Sequence, residues 1–85
     1  MRIILSSHAR MRMRERGLKV EDIRLAITYP DRLEFDRTDR HRFLVKKIYH
    51  PRTGVRHLLM VIYEVAGNVA EVVTVISTSK ISKYL

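Results

Sequence analysis

The hydrophobic period of this 85-residue chain changes once, at Pro30, and that change limits what it can fold into. Before Pro30 the apolar residues are spaced for helices. After it, "RLEFD", "RFLVKKIY", "VRHLLMVIYEV" and "VAEVVTVIS" are rich in Val, Ile, Leu, Tyr and Phe and are separated by turn chemistry, so each is expected to be a strand. "HPRTG" and "AGN" are short enough to join antiparallel neighbours, and "DRTDR" is a polar turn between the first two runs. Leu58 to Ile62 in the third run and Val72 to Ile76 in the fourth carry apolar residues at odd and even positions alike. Both faces of those strands should therefore be covered in part, one by the helices and the other by a functional or partner surface.

Two helices are expected ahead of the strands. Ser6 or Ser7 can cap the first by accepting from the free amides of its first turn, and Gly17 suits the left-handed residue that ends it, which gives a helix over Ser7–Arg16. The second covers about residues 20–29. Val20, Ile23 and Ile27 form its stripe, Glu21 and Asp22 sit at the positive end of its dipole, and Pro30 stops it. The expected architecture is α+β, a single domain over residues 1–85 with two N-terminal helices on a four-stranded antiparallel sheet. The opening "MRIIL" is too short for a signal-peptide core. The closing "TSKISKYL" is a basic tail, either a short helix or a segment lying across the sheet.

Seventeen Lys and Arg against nine Asp and Glu give a formal charge of +8. That balance favours an anionic partner, RNA first, through phosphate contacts and counterion release. The chain has no cysteine, which excludes disulfides and thiolate zinc sites and suits a reducing cytoplasm. No stretch approaches the roughly 20 apolar residues of a membrane helix, so the expected setting is cytoplasmic with no membrane partner. His8, His41, His50 and His57 are scattered with no HExxH pair, and neither a metal site nor a cofactor is expected.

Within the first helix Ala9 and Met13 share a buried stripe, Arg10 and Arg14 a second side, and His8, Arg12, Glu15 and Arg16 the rest. His8 falls at the first turn of the helix, where its imidazole is suited to act as a general base or simply to bond a backbone group. RNA cleavage by transesterification needs such a base, cations to offset charge on phosphorus, and an acid for the leaving 5′-oxygen. His8, Arg12, Arg16, Lys80 and Tyr84 are the catalytic candidates. Arg42, Lys46, Arg56, Thr74 and Lys83 are the candidates for binding RNA. Arg42 and Lys46 share a strand face, and His50 joins them if the strand persists; a solvated edge strand would look the same. Tyr84 suits base stacking or closure of the core, whereas Tyr49 and Tyr63 read as packing residues.

The string "SSHARMRMRERGLKVEDIRLAITYPDRL" resembles the opening of a family of small prokaryotic proteins of unknown function. The marks of that family are a Ser-x-His-Ala start, an Arg-Met-x-x-Arg-Gly helix end and a second helix closing in an Asn/Tyr-Pro turn; "VVTVISTSKISKYL" is similar to its last strand and tail. The family is grouped with the RelE/ParE-like toxins, in the wider superfamily of barnase, EndoU, colicin and RelE nucleases. The resemblance implies two helices against a four-stranded antiparallel sheet, and metal-independent RNA cleavage on the sheet face. It carries over His8, Arg12, Arg16, Thr74, Lys80 and Tyr84.

The leading expectation is therefore a toxin-like RNA-binding protein, an endoribonuclease of a toxin-antitoxin system, with RNA at or off the ribosome and an antitoxin protein as partners. The rival is a noncatalytic basic module for nucleic acid or an acidic protein, which requires no titrating group. A structural homodimer formed through apolar sheet surface is the third reading.

Overall fold

The computed structural model describes residues 1–35, 38, 41–51 and 54–85. Its elements run β1 (Arg2–Leu5), α1 (Ser7–Arg16), α2 (Val20–Thr28), β2 (Arg32–Phe35), β3 (Arg42–Tyr49), β4 (His57–Ala66), β5 (Val69–Thr78) and α3 (Ile81–Tyr84). The strands form one sheet in the order β1-β5-β4-β3-β2. The four expected strands make the antiparallel meander β2 to β5. The expectation of four strands is corrected by β1, which pairs parallel with β5 from Arg2 opposite Val69 to Leu5 opposite Val72, making a five-stranded mixed sheet. Four residues are too few to show a period of their own, and their partner lies at the far end of the chain. β1 and β2 are the edges, so β3, weighed above as a solvated edge strand, is internal.

Both ends of α1 are fixed by local chemistry. Ser6 Oγ accepts from the Ala9 amide at 3.0 Å and donates to the Val73 carbonyl at 2.8 Å, while the Ser6 amide donates to Val72 O at 3.0 Å. Val73 is available because β5 bulges there: Ile62 faces Thr74 and Tyr63 faces Val72, leaving Val73 without a counterpart in β4. At the other end Gly17 adopts φ 65°, its amide bonds Arg14 O, and the Leu18 amide bonds Met13 O at 2.9 Å. That is a Schellman ending, and a side chain at Gly17 would strain it. In α2 the Asp22 carboxylate accepts from the Lys19 amide at 2.8 Å. Lysine has no side-chain acceptor to offer in return, so only half of a capping box forms.

The core lies between the helices and the face of the sheet that carries Val45, Leu59, Val61, Tyr63, Ala70, Val72 and Val75. Ala9 and Met13 of α1 and Ile23 and Ala26 of α2 fill it, as their spacing requires. Ile3 and Leu5 of β1 pack on the same cluster. Phe35, Phe43 and Tyr63 continue it towards β2 as a ladder of rings with centroids 5.2 and 5.4 Å apart. A two-residue turn joins β4 to β5, with Gly67 at φ 60° in its first position, where a type II′ turn requires a positive angle.

The opposite face carries the even positions of β3 and β4. Leu58 and Met60 are buried there, and so is Lys46, only 8% exposed. Lys46 Nζ donates to the Tyr84 carbonyl at 2.6 Å and to Glu34 Oε1 at 3.3 Å, and Arg32 donates to Leu85 O at 2.6 Å. The tail is thus a short helix and also lies across the sheet, the two alternatives realised together.

Ser6→Ala removes a helix cap and orphans the Val73 carbonyl, so it should cost about 2 kcal/mol in denaturant unfolding, with Ser6→Thr recovering most of the loss. Lys46→Met keeps the buried stem but drops the ammonium; hydrogen exchange should show the amides of residues 81–85 losing protection while those of β4 keep theirs. Burial raises the pKa of Tyr63 above 10.0, because the phenolate is disfavoured in the core. Its folded state then holds the proton longer than the unfolded chain, and the corresponding stability is present at neutral pH and lost as pH climbs past the unfolded value. Tyr63→Phe should move the alkaline unfolding midpoint upward, as followed by circular dichroism against pH.

Candidate nucleic-acid interface

Where α1 ends, the Gly17 turn reverses the chain and buried Leu18 pins the reversal to the core. The α1–α2 turn thereby stands beside the end of β3. Between them lies an open cleft of about 610 Å³ lined by Arg16, Lys19, Asp22, Tyr49, His50 and the apolar Leu18 and Pro51. Arg16 and His50 are exposed, and among the described residues neither has a hydrogen-bond or ion-pair partner. Among the described residues the cleft therefore offers an Arg16 guanidinium that no carboxylate of the protein pairs, and Asp22 is the acid on its wall.

Tyr49 forms the rigid side. As the last residue of β3 it points to the helix face, packs on the core, and shares a hydrogen bond with Ser77 Oγ of β5. Its ring lies 5.9 Å from that of His57, whose Nδ1 donates to the Val55 carbonyl at 2.9 Å. Tyr49, read from sequence as a packing residue, both packs and lines the cleft.

The five catalytic candidates do not converge. His8 occupies the first turn of α1 and Arg16 its last position, about 12 Å apart along the axis at 1.5 Å per residue. Arg12 is exposed and pairs with Glu15 at 3.7 Å. Arg10 and Arg14, which share a second side of the helix, are exposed. Lys80 precedes α3, its amide bonded to Thr78 Oγ1 at 3.1 Å, and Tyr84 gives its carbonyl to Lys46 on the face of the sheet away from α1. Of the five, Arg16 alone lines the cleft.

The RNA-binding candidates divide as well. Arg42 pairs with Glu64, and buried Lys46 is spent on the tail and Glu34, so the expected Arg42–Lys46 track is engaged within the protein. His50 does not extend that track, because β3 ends at Tyr49 and His50 lines the cleft instead. Arg56 is exposed just before β4, at the same end of the sheet as His50. Thr74 is half-buried opposite Ile62 in the middle of the sheet. Lys83 sits 5.4 Å over the Tyr84 ring in the tail. The segments "DRTDR" and "HPRTG" lie partly outside the described residues, at Asp36, Arg37, Asp39, Arg40, Arg52 and Thr53. Among the described residues no group of His, Asp and Glu is placed to hold a metal ion, and no helix is long and apolar enough to cross a membrane.

From sequence Asp22 reads only as part of a helix start, and Lys19 has no assigned role. Their place in a cleft depends on β3 ending beside them, which no local spacing encodes. Arg16 was reachable because it falls three and seven positions after Met13 and Ala9, on the side of α1 that faces the sheet.

Comparison with curated proteins and with solved structures gave no match. Residues 5–83 match the family described as a domain of unknown function, DUF4258, nearly the whole of the fold from the end of β1 to the tail. The chain belongs to that family.

Proposed function

We propose that the protein binds RNA in the cytoplasm, and that it does so at the cleft between the α1–α2 turn and the end of β3. One observation carries this reading. Arg16 and Lys19 meet, with His50 beside them, at one concave site in a chain of net charge +8, whereas Arg42 and Lys46 on the opposite face are engaged within the protein. Arg16 and Lys19 hold backbone phosphate, Tyr49 gives an apolar wall, and Arg56 extends the basic surface past the hairpin. The Arg42–Lys46 face is structural in this reading.

A second reading has His50 in its favour, an imidazole beside an unpaired guanidinium. With the resemblance to RelE/ParE-like toxins, it makes the cleft a metal-independent ribonuclease site. His50 would take the 2′-hydroxyl proton, the freed oxygen would attack phosphorus to give a 2′,3′-cyclic phosphate, and the departing 5′-oxygen would take a proton from water, with Arg16 offsetting the phosphorane charge. A toxin of this kind requires an antitoxin protein to neutralise it. His8, Lys80 and Tyr84 have no part in this arrangement.

Fluorescence anisotropy with labelled single-stranded RNA, titrated over salt, tests the first reading. Arg16→Ala and Lys19→Ala should each weaken binding and flatten the log K against log salt slope by about 0.7, the loss of one phosphate contact. Lys83→Ala should leave the slope unchanged. Binding that follows Lys83 and ignores Arg16 would move the interface to the tail. Incubation of RNA in EDTA with wild type, His50→Ala and His8→Ala tests the second: cleavage lost in the first variant and kept in the other is the expected pattern, and intact RNA in every lane removes the catalytic reading.

A further inference from the structure

Asp22 is the anomaly of the cleft. A site built only to hold phosphate gains nothing from a carboxylate, which repels the backbone it is meant to bind. Asp22 caps α2 through the Lys19 amide, but an ionised carboxylate has about four acceptor positions and that bond uses one. The remaining capacity suits a ligand that brings hydrogen-bond donors and phosphate together.

A nucleotide does so through its base. The amino groups of adenine, cytosine and guanine donate, whereas uracil offers one N–H set between two carbonyl oxygens that a carboxylate repels. In a duplex those amino groups are already paired, so the base must be unpaired. The cleft suits such a guest in other respects. Its volume of about 610 Å³ leaves room for one nucleotide, and Tyr49, its hydroxyl held by Ser77, supplies a fixed ring against which a base can lie. Arg16 and Lys19 stand on the same cleft to take the phosphate.

Resting on the reading of the cleft as an RNA site, we infer that it accepts an unpaired nucleotide whose base carries an exocyclic amino group, with Asp22 as the residue that discriminates against uracil. Asp22→Asn is the informative variant. Its amide oxygen still caps Lys19, so α2 is preserved, while its NH₂ can now donate to the carbonyls of uracil.

The probes are labelled nonamers, all-uridine or with one central A, C or G, measured by anisotropy against wild type and Asp22→Asn, with thermal melts confirming that the variant is folded. Wild type should bind each of the three substituted oligomers about five- to tenfold more tightly than the all-uridine one. Asp22→Asn should bring all four within about twofold, and annealing to a complement should abolish the preference. Equal binding of the four by wild type, a preference confined to one of the three bases, or a preference that survives in Asp22→Asn would overturn the inference and leave the RNA site standing. No binding of any nonamer would overturn both.

Discussion

The structure depends on a single joint at Ser6, where two hydrogen bonds cross to β5 and two more start α1. One side chain and one amide tie the end of β1 to Val72 and Val73 of β5 and open α1 at the same point. This joint closes a contact between positions 67 apart in sequence, so it brings the two ends of the chain into one sheet. Its cost is the entropy of closing a long loop, which grows only with the logarithm of loop length. Burial of Ile3, Leu5, Ala9 and Met13 against Ala70, Val72 and Val75 offsets that cost. The bulge at Val73 supplies the carbonyl that the joint uses, so an irregularity in β5 is what lets the first helix leave the sheet at the right place.

From that joint the position of the cleft follows. α1 runs for ten residues over the helix face of the sheet, ends on Gly17, and delivers Arg16 and Lys19 to the end of β3. The two faces of the sheet then have separate tasks. One holds the helices and, at its rim, Arg16 and Lys19; the other is held by the tail through Lys46 and Arg32. A lysine with its ammonium bonded to a backbone carbonyl and a glutamate is no longer a surface charge, so net charge overstates the basic surface on that face.

The local chemistry of the helices was legible in sequence. Ser6, Gly17, the acidic first turn of α2 and Pro30 set boundaries that the structure reproduces closely, because caps and breakers act within a turn of their own position. The meander was legible for a similar reason, since β-branched runs separated by short turns pair with their neighbours. β1 was not, because a four-residue strand has no period and its partner is remote. The site was legible in one residue, Arg16. His8 and Arg12 share its helix but do not line the cleft, Lys80 does not line it either, and Tyr84 lies on the other face of the sheet with its carbonyl on Lys46.

The sequence by itself determined the helices, the antiparallel meander, the apolar faces and the excess of cations, since each follows from residue type and near spacing. Tertiary structure alone decided that β1 joins β5, that Lys46 is buried under the tail, and that Arg16, Lys19, Asp22, Tyr49 and His50 share one cleft. Those outcomes rest on contacts between distant segments. Such contacts are selected by how surfaces fit once the elements exist, and no periodicity along the chain carries that information.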